Sequence, residues 1–377
     1  VVEGVGWGGV VGVRGRDGGK DGAGVWVSRR GRTGASVGNG AGELDTTVRS
    51  RVVTVSGADG LAEASALTLS SVNSGVFSLA AAGSVNAQSV TASGAVTIET
   101  LNPNANLSIG HISAPGQMVS LKTGGAVLAV GPGTHLVASG LVVDAATGLG
   151  TASAPLVVDM DTLQADAGSG GVFIQALDSV QVLSASGDGL MEVSTPQGEF
   201  KASSEQSFAS PLTVRSAEVV VSADLSGEQI NLQPPLAVSS GSPLPLVIGT
   251  PVANVTPLEG VFLDATEVAH LHFDDIKIGS SQPGQEIWLQ TALNDPSDKL
   301  VFNGRLTLDA SLGTTRFSGL IEGAGMTLLG KGSTTYFQGA DLLHSQNVTI
   351  NDAVDVTASS ILEVADSDAE THLVLTI

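Results

Sequence analysis

The sequence has no cysteine, which excludes disulfides, thiolate metal sites and cysteine nucleophiles. Aromatic residues make up only 3% of it, too little to fill a broad sandwich core with large rings. Charged residues are 14%, and cations become scarce after residue 51. Residues 1–51 carry eight Lys/Arg against five Asp/Glu, a net +3. Residues 52–377 carry eight against 32, a net −24, and the two sums give the −21 of the whole chain. An acidic body repels phosphate backbones and anionic lipid, so nucleic acid is not an expected partner. No apolar run reaches the roughly 18 residues of a membrane span.

What remains is Val, Ala, Leu, Ser and Thr around 49 Gly, with 42% apolar residues. That palette suits strands better than helices. "LTLDASLGTTRFSG" (306–319) and "MTLLGKGSTTYFQG" (326–339) repeat T-T-x-F-x-G in one phase. Leu306 then falls on Met326, Leu308 on Leu328, Thr315 on Thr335 and Phe317 on Phe337. "SVNAQSVTASGAVTI" (84–98) lies likewise over "NLSIGHISAPGQMVSL" (106–121), with Val85 on Leu107, Ala87 on Ile109 and Val90 on Ile112. Short alternating runs returning every 19–22 residues predict an all-β chain, a right-handed parallel β-helix solenoid. In it Phe317 and Phe337 stack inside, Leu308 and Leu328 do the same, and Gly319 and Gly339 take the corner.

Four segments follow. Residues 1–51 are a Gly-rich basic arm, read either as a polyanion-binding arm with Trp7 and Trp26 or as a disordered or non-native extension. The abrupt break in charge and composition near residue 50 favours the second reading. Residues 52–230 form one β-helical stretch and 259–377 another. Between them, 231–258 holds Pro234, Pro235, Pro243, Pro245, Pro251 and Pro257, which cannot donate to a central ladder and predict a junction or loop. "LDATEVAHLHFDDIKIG" (263–279) predicts a short helical turn capped by Asp264 or Thr266 before a strand resumes. The start at Val-Val and the end within "THLVLTI" predict a fragment whose stacking continues into flanking repeats.

Several passages resemble known repetitive exoproteins. In "VFLDATEVAHLHFDDIKIGSSQPGQEIWLQ" (261–290), Leu263, Glu267, Val268, Ile276 to Gly279, Gly284, Ile287 and Leu289 resemble a unit of filamentous-haemagglutinin-like bacterial surface proteins. "GLIEGAGMTLLGKGSTTYFQGA" (319–340) is similar to the β-strand repeat of autotransporter passenger domains, with Met326 at the usual Leu/Ile position. "APLVVDMDTLQADAGSGGVFI" (154–174) resembles a phrase of giant repetitive exoproteins. The resemblance implies an extracellular or bacterial cell-surface segment for adhesion or display. Host or neighbouring-cell glycans or proteins would be its partners, with no shared catalytic set.

Chemistry-bearing clusters are few. His270 and His272 form H-x-H with Glu267, Asp274 and Asp275 nearby, a conceivable zinc site without an evident third ligand. Asp274, Asp275 and Lys277 are the one tight mixed-charge cluster. A polysaccharide lyase or hydrolase on a β-helix would need such carboxylates for calcium and a base for proton abstraction. A solvated strand face explains them equally. The G-G-x-G-x-D calcium repeat and the phosphate-binding G-x-x-x-x-G-K-[ST] loop are missing. Neither a cofactor nor a catalytic residue is expected.

Overall fold

Alternation at every second residue sets the architecture. In Val96–Thr100 and Val172–Ala176, the first, third and fifth side chains are buried and those between face outward, as a pleated strand with one dry face requires. The computed structural model describes residues 11–14, 24–29, 43–47, 52–57, 67–81, 83–235, 244–250, 261–292, 297–329, 332–344, 348–351, 353–358, 360–364 and 373–376. The chain divides into two compact units, residues 1–176 with 184–190, and 177–183 with 191–377.

The first unit is a parallel β-solenoid with three ladders. One runs Leu67, Val85, Leu107, Val127, continued by bridges to Leu149 and Val172. A second runs Val72, Val90, Ile112, Leu136, Val158. The third runs Phe77, Val96, Val119, Leu141, Leu163. Every one of these side chains whose burial is described lies inside. The step from Val85 to Leu107 (22 residues) falls at the upper end of the 19–22 read from the sequence, and that from Ile112 to Leu136 (24 residues) exceeds it.

The second unit repeats the plan. Met191, Leu212, Ile230, Ile276, Leu306, Met326 and Val348 form one ladder. Leu246, Ile287, Thr315, Thr335 and Val354 form another. Leu300, Ile321, Leu342 and Leu362 form a third. The step from Ile230 to Ile276 spans 46 residues because one coil carries a long excursion there. Within that excursion sits a one-turn helix, Ala265–Ala269, capped by Asp264 rather than Thr266. Glu267 N–H donates to Asp264 Oδ1 and Asp264 N–H to Glu267 Oε2, both at 2.8 Å. This reciprocal box satisfies two donors that a helix start leaves orphaned.

Like side chains stack in the core. Phe317 pairs in register with Phe337 and Leu308 with Leu328. The two phenyl rings lie 5.3 Å apart and 11° from parallel. Gly319 and Gly339 have φ of 77° and 76°, a left-handed bend that a Cβ would strain. After Phe337 the register slips, so that Gly319 faces Ala340. Phe208, Gly227 and Phe273 occupy one inward row, and the missing side chain at Gly227 lets the outer rings close to 6.3 Å.

Two segments read from the sequence as a junction or loop and as an arm hold strands among the described residues. The Pro-rich segment 231–258 holds a strand, Leu246–Gly249, paired with Val261–Leu263 and with Glu286–Gln290. Pro245 directly precedes that strand, and the division between the two compact units falls near residues 177–190. Pro243, Pro251 and Pro257 lie outside the described residues. Within residues 1–51, strands Val11–Arg14 and Gly24–Arg29 pair antiparallel, and Glu43–Thr47 pairs with Leu67–Ser74. Val11, Val13, Val25 and Val27 alternate with other residues at the strand period, a local signal that the high glycine content masks. Trp7 lies outside the described residues.

Candidate functional site

His270 and His272 do not share a strand. The first is the C-cap of the helix Ala265–Ala269 and the second lies in the strand Leu271–Ser280. Asp224, on the preceding turn of the second unit, lies against both. His270 Nδ1 is 2.7 Å and His272 Nε2 3.4 Å from the same oxygen, Asp224 Oδ1. The sequence spacing hid this third member because it lies 46 residues upstream of His270.

Neighbouring groups set the imidazole roles. The Asn303 amide nitrogen lies 3.4 Å from the Ala269 carbonyl and 3.3 Å from the Leu271 carbonyl. It also faces His272 Nδ1 at 3.2 Å. The amide has two hydrogens to share among these three acceptors, and Nε2 of His272 faces Asp224. The hydrogen bond from His270 and the nearby His272 hold the Asp224 carboxyl below the usual carboxylate range. This arrangement clamps two turns together, with a ring nitrogen of each imidazole directed at Asp224 Oδ1. Among the described residues no group of three or more His, Asp or Glu is disposed to hold a metal ion.

The same turn is tied at Glu267, whose Oε1 accepts the Val221 N–H at 3.3 Å. Burial pushes the Glu267 carboxyl above its usual value, against the pull of its backbone donors. Leu225 N–H donates to the His270 carbonyl at 2.9 Å. The helix is therefore docked by Glu267, His270 and Asp224 acting side by side.

Asp274 and Asp275 are both exposed and line an open depression with Asn303, Gly304, Arg305 and Ala324. Asp275 faces Arg305 across the ladder. Lys277 does not line this depression. Its Nζ lies 3.0 Å from Asp309 Oδ2, a carboxylate whose side chain is 9% exposed, and Asp309 also accepts from Ser311 Oγ at 3.0 Å. A lysine neutralising a nearly buried carboxylate is poorly placed to abstract a proton.

Sequence reading passed over a second constellation. Trp288, Arg316 and Tyr336 are register partners on three successive strands, Glu286–Gln290, Thr314–Leu329 and Thr334–His344. The Arg316 guanidinium lies 4.8 Å from the Trp288 ring centre and 4.4 Å from that of Tyr336. The signal was present in the repeat itself, because Arg316 and Tyr336 are its variable x in T-T-x-F-x-G. Alongside run Glu286, Thr314 and Thr334 on one flank and Gln290 and Ser318 on the other. Trp288 Nε1–H donates to Glu286 Oε2 at 3.3 Å. Among the described residues of the body, Lys122, Lys201, Arg215, Lys277 and Lys299 are ion-paired. Arg316 makes no ion pair with a described residue, and its buried Nε has no hydrogen-bond partner.

No protein-family model, no curated protein and no solved structure matches this chain.

Proposed function

We propose that this chain is a structural or adhesive segment of an exported bacterial surface protein, presenting outward side chains along β-solenoid faces. The observation that carries the reading is a polar column in the second unit: Thr213, Asn231, Lys277, Thr307, Thr327 and Thr349 follow one another in register. Such a face repeats its chemistry at about 4.8 Å per coil and offers many weak contacts rather than one enclosed pocket. The resemblance to filamentous-haemagglutinin-like and autotransporter-passenger proteins supports the same reading and an extracellular location.

The test is adhesion. Beads coated with the full chain should adhere to cells or mixed glycan surfaces more than bare beads do. The variant Asp274→Asn/Asp275→Asn/Arg305→Gln should adhere equally well, since exposed charges of this kind each contribute under about 1 kcal/mol. Beads that never adhere above background would sink the adhesive reading.

A carbohydrate-active enzyme is the alternative, supported by the open depression with two carboxylates and Arg305. Incubation with polyuronate and calcium, read out as unsaturated product, separates the two. The expected result is no product. Product that the triple variant loses would establish the lyase. Lys277 is left intact in that variant, because removing it would strand the Asp309 charge.

A further inference from the structure

We propose that the Trp288–Arg316–Tyr336 column is a subsite for the carboxylate of an acidic sugar, a deepening that rests on the adhesive reading above. The guanidinium is held between two rings, at 4.8 and 4.4 Å from their centres. Stacking on both faces strips it of water there and leaves the outer edge to hydrogen-bond. Arg is weakly hydrated, and its planar fork matches a carboxylate bidentately. With no ion pair to a described residue, this is a pre-oriented cation without its anion in an otherwise acidic body. Stacking against Trp and Tyr fixes the side chain beforehand, so little rotamer freedom is lost on binding.

The surroundings specify the rest of the ligand. Thr314, Thr334 and Ser318 flank the column, and hydroxyls both donate and accept, as a polyhydroxylated ring requires. Backbone N–H and C=O groups of this sheet are consumed in the coil-to-coil ladders. A peptide that binds by strand addition would therefore find no free edge here. Glu286 lies beside Thr314 in register, and Asp355 follows Tyr336 on the next strand. These carboxylates, with the −21 of the chain, select a sugar bearing one isolated carboxylate over a dense polyanion.

The experiment is a binding titration of the full chain at near-physiological ionic strength, where the Debye length of about 8 Å screens the distant charges. The probes are sialyllactose, the methyl glycoside of galacturonic acid, the methyl ester of each, and lactose. Saturable binding of at least one acid is expected, with a loss of at least tenfold for its ester and for lactose. Arg316→Gln should lose at least tenfold in affinity, whereas Arg305→Gln should stay within twofold of the parent. Which acid binds identifies the source of the carboxylate, sialic or uronic. Should Arg316→Gln fail to fold, the ester comparison and Arg316→Lys, which keeps the charge but not the fork, carry the same question. Equal affinity for acid and ester, or no binding of either acid, would overturn the subsite. Beads that still adhere to mixed glycan surfaces would then leave the adhesive reading standing, and beads that do not would remove both.

Discussion

Phe317 and Phe337 show how a single repeated residue stabilises a coil. Both rings are buried, at 0% and 6% exposure, and their near-parallel stack lets each coil template the next. Phe337→Ala should cost about 3–5 kcal/mol, the usual range for aromatic truncation in a core. Denaturant titration reads this directly, and an unchanged midpoint would contradict the stack. Carboxyl groups near the helix give a pH test with opposite signs. Glu267 has a raised folded-state value, so its contribution to stability is present below the unfolded value and is lost as pH rises through the folded one. Near neutral pH its buried charge is a cost. Glu267→Gln keeps the reciprocal cap with its one amide oxygen but turns an NH2 toward the Val221 N–H that Oε1 accepts. The melting temperature of the variant relative to the parent should therefore rise as pH goes from acid to neutral, and a difference that does not change with pH would contradict the raised value. Asp224 has a depressed folded value, so its contribution is present above the unfolded value and is lost as pH falls through the folded one. Asp224→Asn should therefore lower the melting temperature at pH 7 and make no difference in strong acid.

One coil is the unit of construction in this fold. Leu306, Met326 and Val348 follow in one ladder, and Thr315, Thr335 and Val354 in another. Deleting residues 319–338 joins Ser318 to Gly339 and places a left-handed glycine where Gly319 stood. Nearest-neighbour stacking should tolerate the loss of one full repeat. The shortened chain is expected to keep a β-sheet circular dichroism spectrum and a cooperative melt, at a lower temperature than the parent. A deletion of 17 or 23 residues from the same point, about three residues off phase, should instead misplace every inward side chain and abolish the melt. If all three deletions behave alike, the coil is not the repeating unit.

Electrostatics governs the whole chain. With a formal charge of −21, folding brings like charges together, and added salt relieves that repulsion. Salt also weakens the surface ion pairs, but each contributes under about 1 kcal/mol, and few are available to lose. Raising ionic strength from about 0.01 to 0.15 M shortens the Debye length from about 30 to 8 Å. The melting temperature should rise by a few degrees over that range. A fall would mean that Lys122–Asp144 and its counterparts outweigh the net charge.

Strand period and coil length were legible in the sequence because they are local properties of a stacked repeat. Val85 over Leu107 and Phe317 over Phe337 needed only an offset count. The helix cap was narrowed by sequence to Asp264 or Thr266, and the fold selects Asp264. The excursion between Ile230 and Ile276 was not legible in that way, because prolines announce a break without saying where the ladder resumes. The convergence of Asp224 on His270 and His272, the pairing of Lys277 with Asp309, and the placing of Arg316 between Trp288 and Tyr336 were decided only in three dimensions. Each joins side chains from different coils, 20 to 48 residues apart. Apolar patterning specifies which residues turn inward, while the identity of outward neighbours depends on how many residues each coil spends before it returns.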